Sequence, residues 1–187
     1  MKLGADGLLS GARYVASPHC DARPPGTAVT LAVLHAISLP PGEFGGDAVE
    51  RLFTGRLDPA AHPYFRDLAG QRLSAHFFVR RDGALLQFVP AQLRAWHAGA
   101  SRWRGRERCN DFSIGIELEG TETGPFADAQ YDRLAALLRA LRAALPLRDL
   151  AGHSEIAPDR KRDPGAHFDW ARLQAALARP SPPGDDR

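Results

Sequence analysis

The segment Phe112-Ser113-Ile114-Gly115-Ile116-Glu117-Leu118-Glu119 best indicates how this chain folds, because apolar residues alternate in it with small or acidic ones. Successive side chains of a β-strand point to opposite faces, so the alternation predicts a strand. One face carries Phe112, Ile114, Ile116 and Leu118, and the other carries Ser113, Gly115, Glu117 and Glu119. Serine and glycine are small, so the second face should leave room for a ligand beside the carboxylates.

Further strands are predicted on both sides of this segment. Val29–Ile37 is a short apolar run with several β-branched residues, which is typical of a buried strand. Ala75–Arg80 and Ala84–Val89 flank Asp82-Gly83, a dipeptide typical of the turn of a β-hairpin. Leu147–Ala151 is also predicted to be extended.

Helical periodicity and capping residues predict three helices. Asp47 is expected to cap a short helix. Ala127–Leu145 gives the clearest helical pattern, with Asp128 as the expected N-cap. Its apolar stripe consists of Tyr131, Leu134, Leu138 and Leu141. Asp169 is expected to cap a last helix that runs through Ala178.

These elements predict an α/β fold, a single domain with a central mixed β-sheet flanked by helices, because strands and helices do not alternate as strict β-α-β units. A chain of 187 residues fits one domain. We expect the domain to span residues 1–178. Residues 179–187, rich in proline and aspartate, are expected to form a disordered tail.

Composition excludes several classes of partner. A net charge of +2 gives no signature of nucleic-acid binding. No run of 18 apolar residues predicts a membrane span, and no apolar segment near Met1 predicts a signal peptide. We therefore expect a cytoplasmic protein, a monomer, in which Cys20 and Cys109 are free thiols.

Two histidines and an aspartate predict a metal site. His35 lies near the end of a predicted strand, and His153 and Asp163 lie in the polar segment Gly152–Gly165. Two imidazoles and one carboxylate are a ligand set of catalytic Zn²⁺, with one position left open for water. Such a site makes a nucleophile at neutral pH, so it favours hydrolysis over simple binding.

Other interpretations of these residues remain open on the sequence. Taken alone, His35 reads as a hydrogen-bonded core histidine and Asp163 as a turn residue. His76 and His97 compete for the metal, because spacing does not exclude them.

Acidic and basic residues near the predicted metal are candidates for proton transfer. Glu117 is the best candidate for a general base, because it shares a strand face with small residues. Glu119 points the same way but lies about 7 Å further along the strand. Lys161 lies two residues from Asp163, where an ammonium group would stabilise an oxyanion. Only Lys2 and Lys161 are lysines among 24 basic residues, which suggests that position 161 favours a compact charge. The alternative is that these are solvated surface charges.

Substrate contacts are harder to assign. Candidates for binding a substrate carboxylate are Arg72, Arg80, Arg81, Arg104, Arg106 and Arg108. Trp96 lies on the long predicted loop Ala95–Asp111, where it would either stack on a sugar or pack in the core.

Longer motifs cover about residues 10–175. They are Ile37–Gly46, Asp58–Phe65, Ser74–His76, Arg80–Gly83, Arg94–Gly99, Gly105–Gly120 and Gly152–Gly165. Together they closely resemble the zinc N-acetylmuramoyl-L-alanine amidases, a family related to the peptidoglycan recognition proteins.

The resemblance implies that His35, His153 and Asp163 bind zinc and that Glu117 and Lys161 are catalytic. It also implies the substrate, an anhydro-muropeptide from cell-wall recycling. The bond cut would be the amide between the lactyl group of anhydro-N-acetylmuramic acid and L-alanine.

Arg72 and Arg108 match positions at which the resemblance implies contacts to the carboxylates of the peptide, and Trp96 would lie by the sugar. The chain departs from the family at Ala36, because an asparagine usually follows the first zinc histidine there. An asparagine amide could bind the peptide backbone of the substrate, so Ala36 puts substrate affinity in question while leaving the zinc chemistry intact.

Two functions are therefore compared. The first is a zinc hydrolase, and the second is a module of the peptidoglycan recognition type that holds muropeptide without cutting it. The complete set of expected ligands, together with Glu117 and Lys161, favours the hydrolase.

Overall fold

A computed structural model describes residues 1–179, whose centre is a six-stranded mixed sheet. The strands are β1 (Arg13–Tyr14), β2 (Cys20–Ala22), β3 (Leu31–Ile37), β4 (Phe77–Val79), β5 (Leu85–Gln87), β6 (Leu93–Ala95), β7 (Arg102–Trp103), β8 (Arg106–Glu107), β9 (Ser113–Glu119) and β10 (Asp149–Gly152). The helices are α1 (Ala48–Phe53), α2 (Asp128–Ala144), α3 (His153–Ile156) and α4 (Trp170–Ala178), with 3₁₀ turns at Pro63–Leu68 and Cys109–Phe112.

The central sheet has the order β1-β5-β4-β9-β3-β10, in which only β4 and β5 run antiparallel. Two small antiparallel pairs, β2 with β6 and β7 with β8, lie outside it. The predicted mixed sheet flanked by helices is confirmed. The long loop expected from Ala95 to Asp111 instead contains the β7–β8 pair and a 3₁₀ turn.

Strand β9 lies at the centre of the sheet, and all seven of its residues are buried. Its apolar side chains pack in one cluster with Leu134, Leu138 and Leu141 of α2. The strand is therefore covered on both faces, as is usual for parallel strands. The prediction of a strand is confirmed, but Phe112 belongs to the preceding 3₁₀ turn, and the acidic face is buried rather than solvated.

The hairpin predicted at Asp82-Gly83 is confirmed by the antiparallel pairing of β4 and β5. Its turn is tied to the sheet by Glu119, whose carboxylate accepts the backbone N–H groups of Arg81 at 3.0 Å and Gly45 at 2.6 Å. Glu119 thereby joins the hairpin to the loop that follows β3.

The predicted helices form, but two of their expected caps do not. Ala127 occupies the N-cap of α2, and its backbone N–H donates to the Gln130 side chain, so Asp128 is the first helical residue and not the cap. Asp47 occupies the N-cap position of α1, yet its carboxylate binds Arg51 at 2.8 Å instead of a backbone N–H.

The expected cap of α4 is confirmed, because the Asp169 carboxylate accepts the backbone N–H of Arg172 at 2.8 Å. The tail expected at residues 179–187 lies outside the described residues apart from Arg179. None of the helices formed by residues 1–179 is both long enough and apolar enough to span a bilayer.

Truncation of the α2 stripe tests how much the fold depends on packing against the sheet. Leu138 is fully buried, so Leu138→Ala should lower the free energy of unfolding by about 2–5 kcal/mol. Arg142→Ala on the exposed side of the same helix should change it by no more than about 0.5 kcal/mol. Urea denaturation followed by circular dichroism measures both values, and equal losses would contradict the assignment.

Candidate metal and hydrolytic site

Three parallel strands bring the candidate residues to one edge of the sheet. The β3–β9 register places His35 opposite Glu117, and the β3–β10 register places Gly152 opposite Leu34. His153 follows Gly152 directly, so it emerges beside His35. Parallel strands end at the same edge, where an open α/β sheet commonly forms its ligand site.

A cleft of about 460 Å³ opens at this edge, a volume in the usual range for small-ligand sites. It is lined by His35, His153 and Asp163 together with Glu117, Lys161 and Ala36. Its outer walls come from the loop after β3 and from the turn around Tyr64.

The three expected metal ligands converge. The Nδ1 atoms of His35 and His153 are 2.9 Å apart, and Asp163 Oδ2 lies 3.1 Å from each. His76 and His97 are not part of this group, so the geometry favours His35 and His153 among the histidines left open by spacing. Within the polar segment Gly152–Gly165, His153 is the buried first residue of the short helix α3.

Local backbone contacts hold two of these side chains in place. The N–H of Gly152, just before His153, donates to the Glu155 carboxylate at 2.7 Å. The carbonyl of Asp163 accepts the N–H of Ser154 at 2.9 Å, which ties the Asp163 loop to α3. The two ligands that are close in sequence are therefore positioned by the same short helix.

The donor set fits a zinc ion. Burial lowers the pKa of His35 to about 4, so its imidazole is neutral and able to bind a metal at neutral pH. Burial alone would raise the pKa of Asp163, but the close contacts with His153 and His35 outweigh it and hold that pKa below its usual range. Two imidazole nitrogens with one carboxylate suit zinc better than calcium or magnesium, which prefer oxygen ligands.

Glu117 is a buried carboxyl group beside this cluster. Within residues 1–179, its Oε2 atom has no hydrogen-bond partner. Burial raises its pKa well above the ordinary value, the charge of Asp163 adds to the increase, and Lys161 opposes it. A carboxylate with a raised pKa and a free oxygen is suited to accept a proton. The alternative base, Glu119, is occupied by the two backbone N–H groups that it accepts.

Lys161 lines the same cleft, and its backbone N–H is held by the Ala157 carbonyl at 3.0 Å. The arginines on either side of it are directed to backbone carbonyls. Arg160 donates to Ala98 and Ala100, and Arg162 donates to Pro158. Of these three neighbouring cations, Lys161 is thus the one suited to meet a ligand.

The residues expected to bind substrate are not brought into the cleft, apart from Ala36. The Trp96 indole N–H donates to Asp21 at 3.2 Å, and its ring stacks on His19. Arg72 is exposed on a side cavity next to His19. Their substrate roles remain predictions without support from this geometry.

Arg108 also lies outside the cleft. Its guanidinium is 3.3 Å from the Asp111 carboxylate, and it borders a different cavity together with Arg160. Arg80 and Arg81 surround Glu119, where they support the hairpin instead of a ligand.

His97 is the residue at the site whose importance the sequence did not reveal. Its Nδ1 atom lies 2.9 Å from His35 Nε2, on the side of the His35 ring that faces away from Asp163. Its ring occupies the space above Gly115, so the room left by Ser113 and Gly115 is filled by His97 and not by a ligand. A glycine inside a strand often marks such a close approach, which is the signal that could have indicated it.

Comparison with known proteins agrees with this geometry. The sequence profile of the N-acetylmuramoyl-L-alanine amidase family matches residues 25–166. The chain is 57% identical over 175 residues to the 1,6-anhydro-N-acetylmuramyl-L-alanine amidase AmpD of Escherichia coli, covering 92% of this chain and 96% of that protein.

Solved structures give the same relationship. The crystal structure of a selenomethionine derivative of AmpD superposes with a TM-score of 0.91 at 56% identity, covering 95% of this chain and 99% of that one. The amidase AmiD from E. coli, in complex with anhydro-N-acetylmuramic acid-L-Ala-D-γ-Glu-L-Lys, superposes with a TM-score of 0.57 at 29% identity. That match covers 87% of this chain and 59% of AmiD.

Substitution of Gly115 tests the close approach of His97. A Cβ atom at this position would lie 2.4 Å from Cγ of the His97 ring, so Gly115→Ala should destabilise the fold by about 1–3 kcal/mol. Gly46→Ala is the control, because a Cβ there meets no heavy atom within 4 Å. Chemical denaturation compares the two variants, and an unaltered stability of Gly115→Ala would contradict the observed packing.

Proposed function

The chain belongs to the N-acetylmuramoyl-L-alanine amidase family, and from this premise we propose that it is a zinc-dependent hydrolase of anhydro-muropeptides. The bond cleaved is the amide between the lactyl group of 1,6-anhydro-N-acetylmuramic acid and L-alanine. The observation that carries the proposal is the convergence of His35, His153 and Asp163 beside Glu117, whose Oε2 atom has no hydrogen-bond partner among residues 1–179.

The substrate assignment is supported by the relatives. The E. coli protein named 1,6-anhydro-N-acetylmuramyl-L-alanine amidase matches nearly the whole length of both chains. AmiD was solved with an anhydro-muramyl tripeptide bound. A module that only holds muropeptide would need neither the complete ligand set nor the buried base, so the hydrolytic function is the better supported of the two.

Zinc is the metal that we propose for His35, His153 and Asp163. When bound there, it polarises a carbonyl oxygen and makes water more acidic. The three side chains need little rearrangement, because their ligand atoms already lie within 4.8 Å of one another.

Glu117 moves the proton in the proposed reaction. Its free Oε2 accepts a proton from the water whose oxygen attacks the lactyl carbonyl carbon. As the C–N bond breaks, the same carboxyl returns that proton to the alanine nitrogen, so the products are a free amine and a lactyl carboxylic acid, which then ionises in water. The raised pKa of Glu117 suits both transfers, because the group must first gain and then release the proton.

Lys161 is proposed to stabilise the negative charge that develops on the carbonyl oxygen during attack. It lines the cleft together with Asp163, and its positive charge opposes the rise in the pKa of Glu117. Lys161 therefore lies near both carboxyl groups. A preorganised cation aimed at a developing oxyanion is among the largest contributions to this kind of catalysis.

Ala36 lines the cleft one residue after His35, where it offers a methyl group and no polar side-chain atom. We propose that the missing amide removes one hydrogen bond to the peptide of the substrate. One such bond is worth about 1 kcal/mol, which corresponds to several-fold in affinity.

The cellular setting is proposed on the chemistry of the substrate and of the cysteines. Cys20 is half-buried and Cys109 is buried, and both are free thiols in the structure. Free thiols fit a reducing compartment, so we propose that the protein acts as a monomer in the cytoplasm on recycled muropeptides.

Glu117→Gln separates proton transfer from metal binding. It should lower the rate by about 10²–10⁴-fold on anhydro-N-acetylmuramic acid-L-Ala-D-γ-Glu-L-Lys, with one zinc per chain retained. The mass of the product follows the rate, and metal analysis gives the zinc content. Removal of zinc by a chelator should abolish turnover.

Glu119→Gln is the control, because Glu119 is a buried carboxyl on the same strand. It should lower stability while the rate changes only a few-fold. Full activity after zinc removal would overturn the proposal.

Ala36→Asn tests the proposed loss of a substrate contact. We expect the dissociation constant of the same tripeptide substrate to fall several-fold, because one hydrogen bond is restored. Ala36→Leu adds a side chain of similar size without the amide and should not improve binding. Calorimetry with the Glu117→Gln background avoids turnover, and equal effects of asparagine and leucine would argue against a hydrogen bond.

A further inference from the structure

Ser113, at the start of β9, begins a chain of hydrogen bonds that leads to the metal cluster. Its hydroxyl lies 2.6 Å from the Cys109 carbonyl, which can only accept a hydrogen bond. The single hydroxyl proton is therefore used in this bond. The Ser113 oxygen can then act only as an acceptor toward its other neighbour.

That neighbour is His97, whose Nε2 lies 3.1 Å from Ser113 Oγ. Since Ser113 has no proton left, His97 must carry its proton on Nε2 and donate it. A neutral imidazole carries one N–H, so the Nδ1 atom of His97 is bare.

The hydrogen bond with His97 in turn fixes which nitrogen of His35 carries the proton. Its Nε2 is 2.9 Å from the bare Nδ1 of His97, so this nitrogen must carry the proton and donate it. The Nδ1 of His35 is then left with a free lone pair. That atom is the one that faces His153 Nδ1 at 2.9 Å and Asp163 Oδ2 at 3.1 Å.

We propose that His97, supported by Ser113, is a positioning residue that fixes which nitrogen of His35 carries the proton and leaves Nδ1 bare for the metal. The proposal rests on the zinc site proposed above. If His35 carried its proton on Nδ1 instead, the proton would stand among the ligand atoms, and two lone pairs would face each other between His35 and His97.

His153 also has a bare Nδ1 atom, because a separate hydrogen bond fixes its proton on Nε2. Its Nε2 lies 3.3 Å from the Ala98 carbonyl, which accepts the ring N–H and leaves Nδ1 bare. Ala98 directly follows His97, so this short segment orients both metal-binding histidines. Partners of this kind, which hold the second nitrogen of a metal-bound histidine, commonly alter metal affinity by 10–100-fold when removed.

The tautomers can be observed directly in the metal-free wild-type protein. Long-range ¹H–¹⁵N correlation spectra distinguish a protonated Nε2 from a protonated Nδ1 for each histidine. We expect His35, His97 and His153 to carry the proton on Nε2, and loss of the preference at His35 in His97→Leu. A proton on Nδ1 of His35 in the wild-type protein would overturn the proposal.

Zinc affinity gives a second readout. His97→Leu should weaken zinc binding by about 10–100-fold, measured by competition with a chromophoric chelator. His97→Asn should stay within a few-fold of wild type, because an asparagine side-chain oxygen can accept the His35 N–H at the place of Nδ1. Equal losses in both variants would mean that the ring only fills space.

His76→Leu is the matched control. His76 is fully buried and accepts the Gly115 N–H at 3.0 Å, but it does not contact a metal ligand. Its replacement should lower the melting temperature without a comparable loss of zinc affinity, and an equal loss would overturn the specific role of His97. If the wild-type protein itself binds no zinc, the proposed function fails first, and the tautomer spectra still test the hydrogen-bond chain.

Discussion

The parallel pairing of β3 with β9 and β10 is the constraint on which the rest of the molecule depends. The pairing places His35 opposite Glu117 and lets His153 emerge beside His35. None of these residues is close to the others in sequence, so only the register of the sheet brings them together. Helix α2 supports this arrangement by packing against the apolar side chains of β9 and keeping that face away from water.

Burial then has two chemical effects at the same place. It lowers the pKa of His35 and so keeps the imidazole neutral, and it raises the pKa of Glu117. The first effect suits His35 to the proposed role of metal ligand, and the second suits Glu117 to the proposed role of base. One low-dielectric edge of a sheet therefore accounts for both halves of the proposed reaction.

Much of this could be predicted from the sequence, since alternation in Phe112–Glu119 and the Asp82-Gly83 turn indicate strands and a hairpin by local rules. The convergence of His35, His153 and Asp163 was also anticipated, from residue types in polar or strand-end positions. The N-cap of α2 was not, because this position holds Ala127, whose backbone N–H donates to the Gln130 side chain, and no acidic side chain caps the helix. The place of His97 was not predictable either, since it depends on tertiary packing over Gly115.

Glu119 has a consequence for how the chain must fold. It stands two residues from Glu117 on the same face of β9, and a two-residue slip of that strand would preserve the pattern of apolar side chains. Such a slip would bring Glu119 opposite His35 and leave the backbone N–H groups of Gly45 and Arg81 without their acceptor. Hydrophobic burial alone cannot distinguish the two alignments. The two backbone hydrogen bonds that Glu119 accepts therefore stabilise the alignment in which Glu117 lies opposite His35.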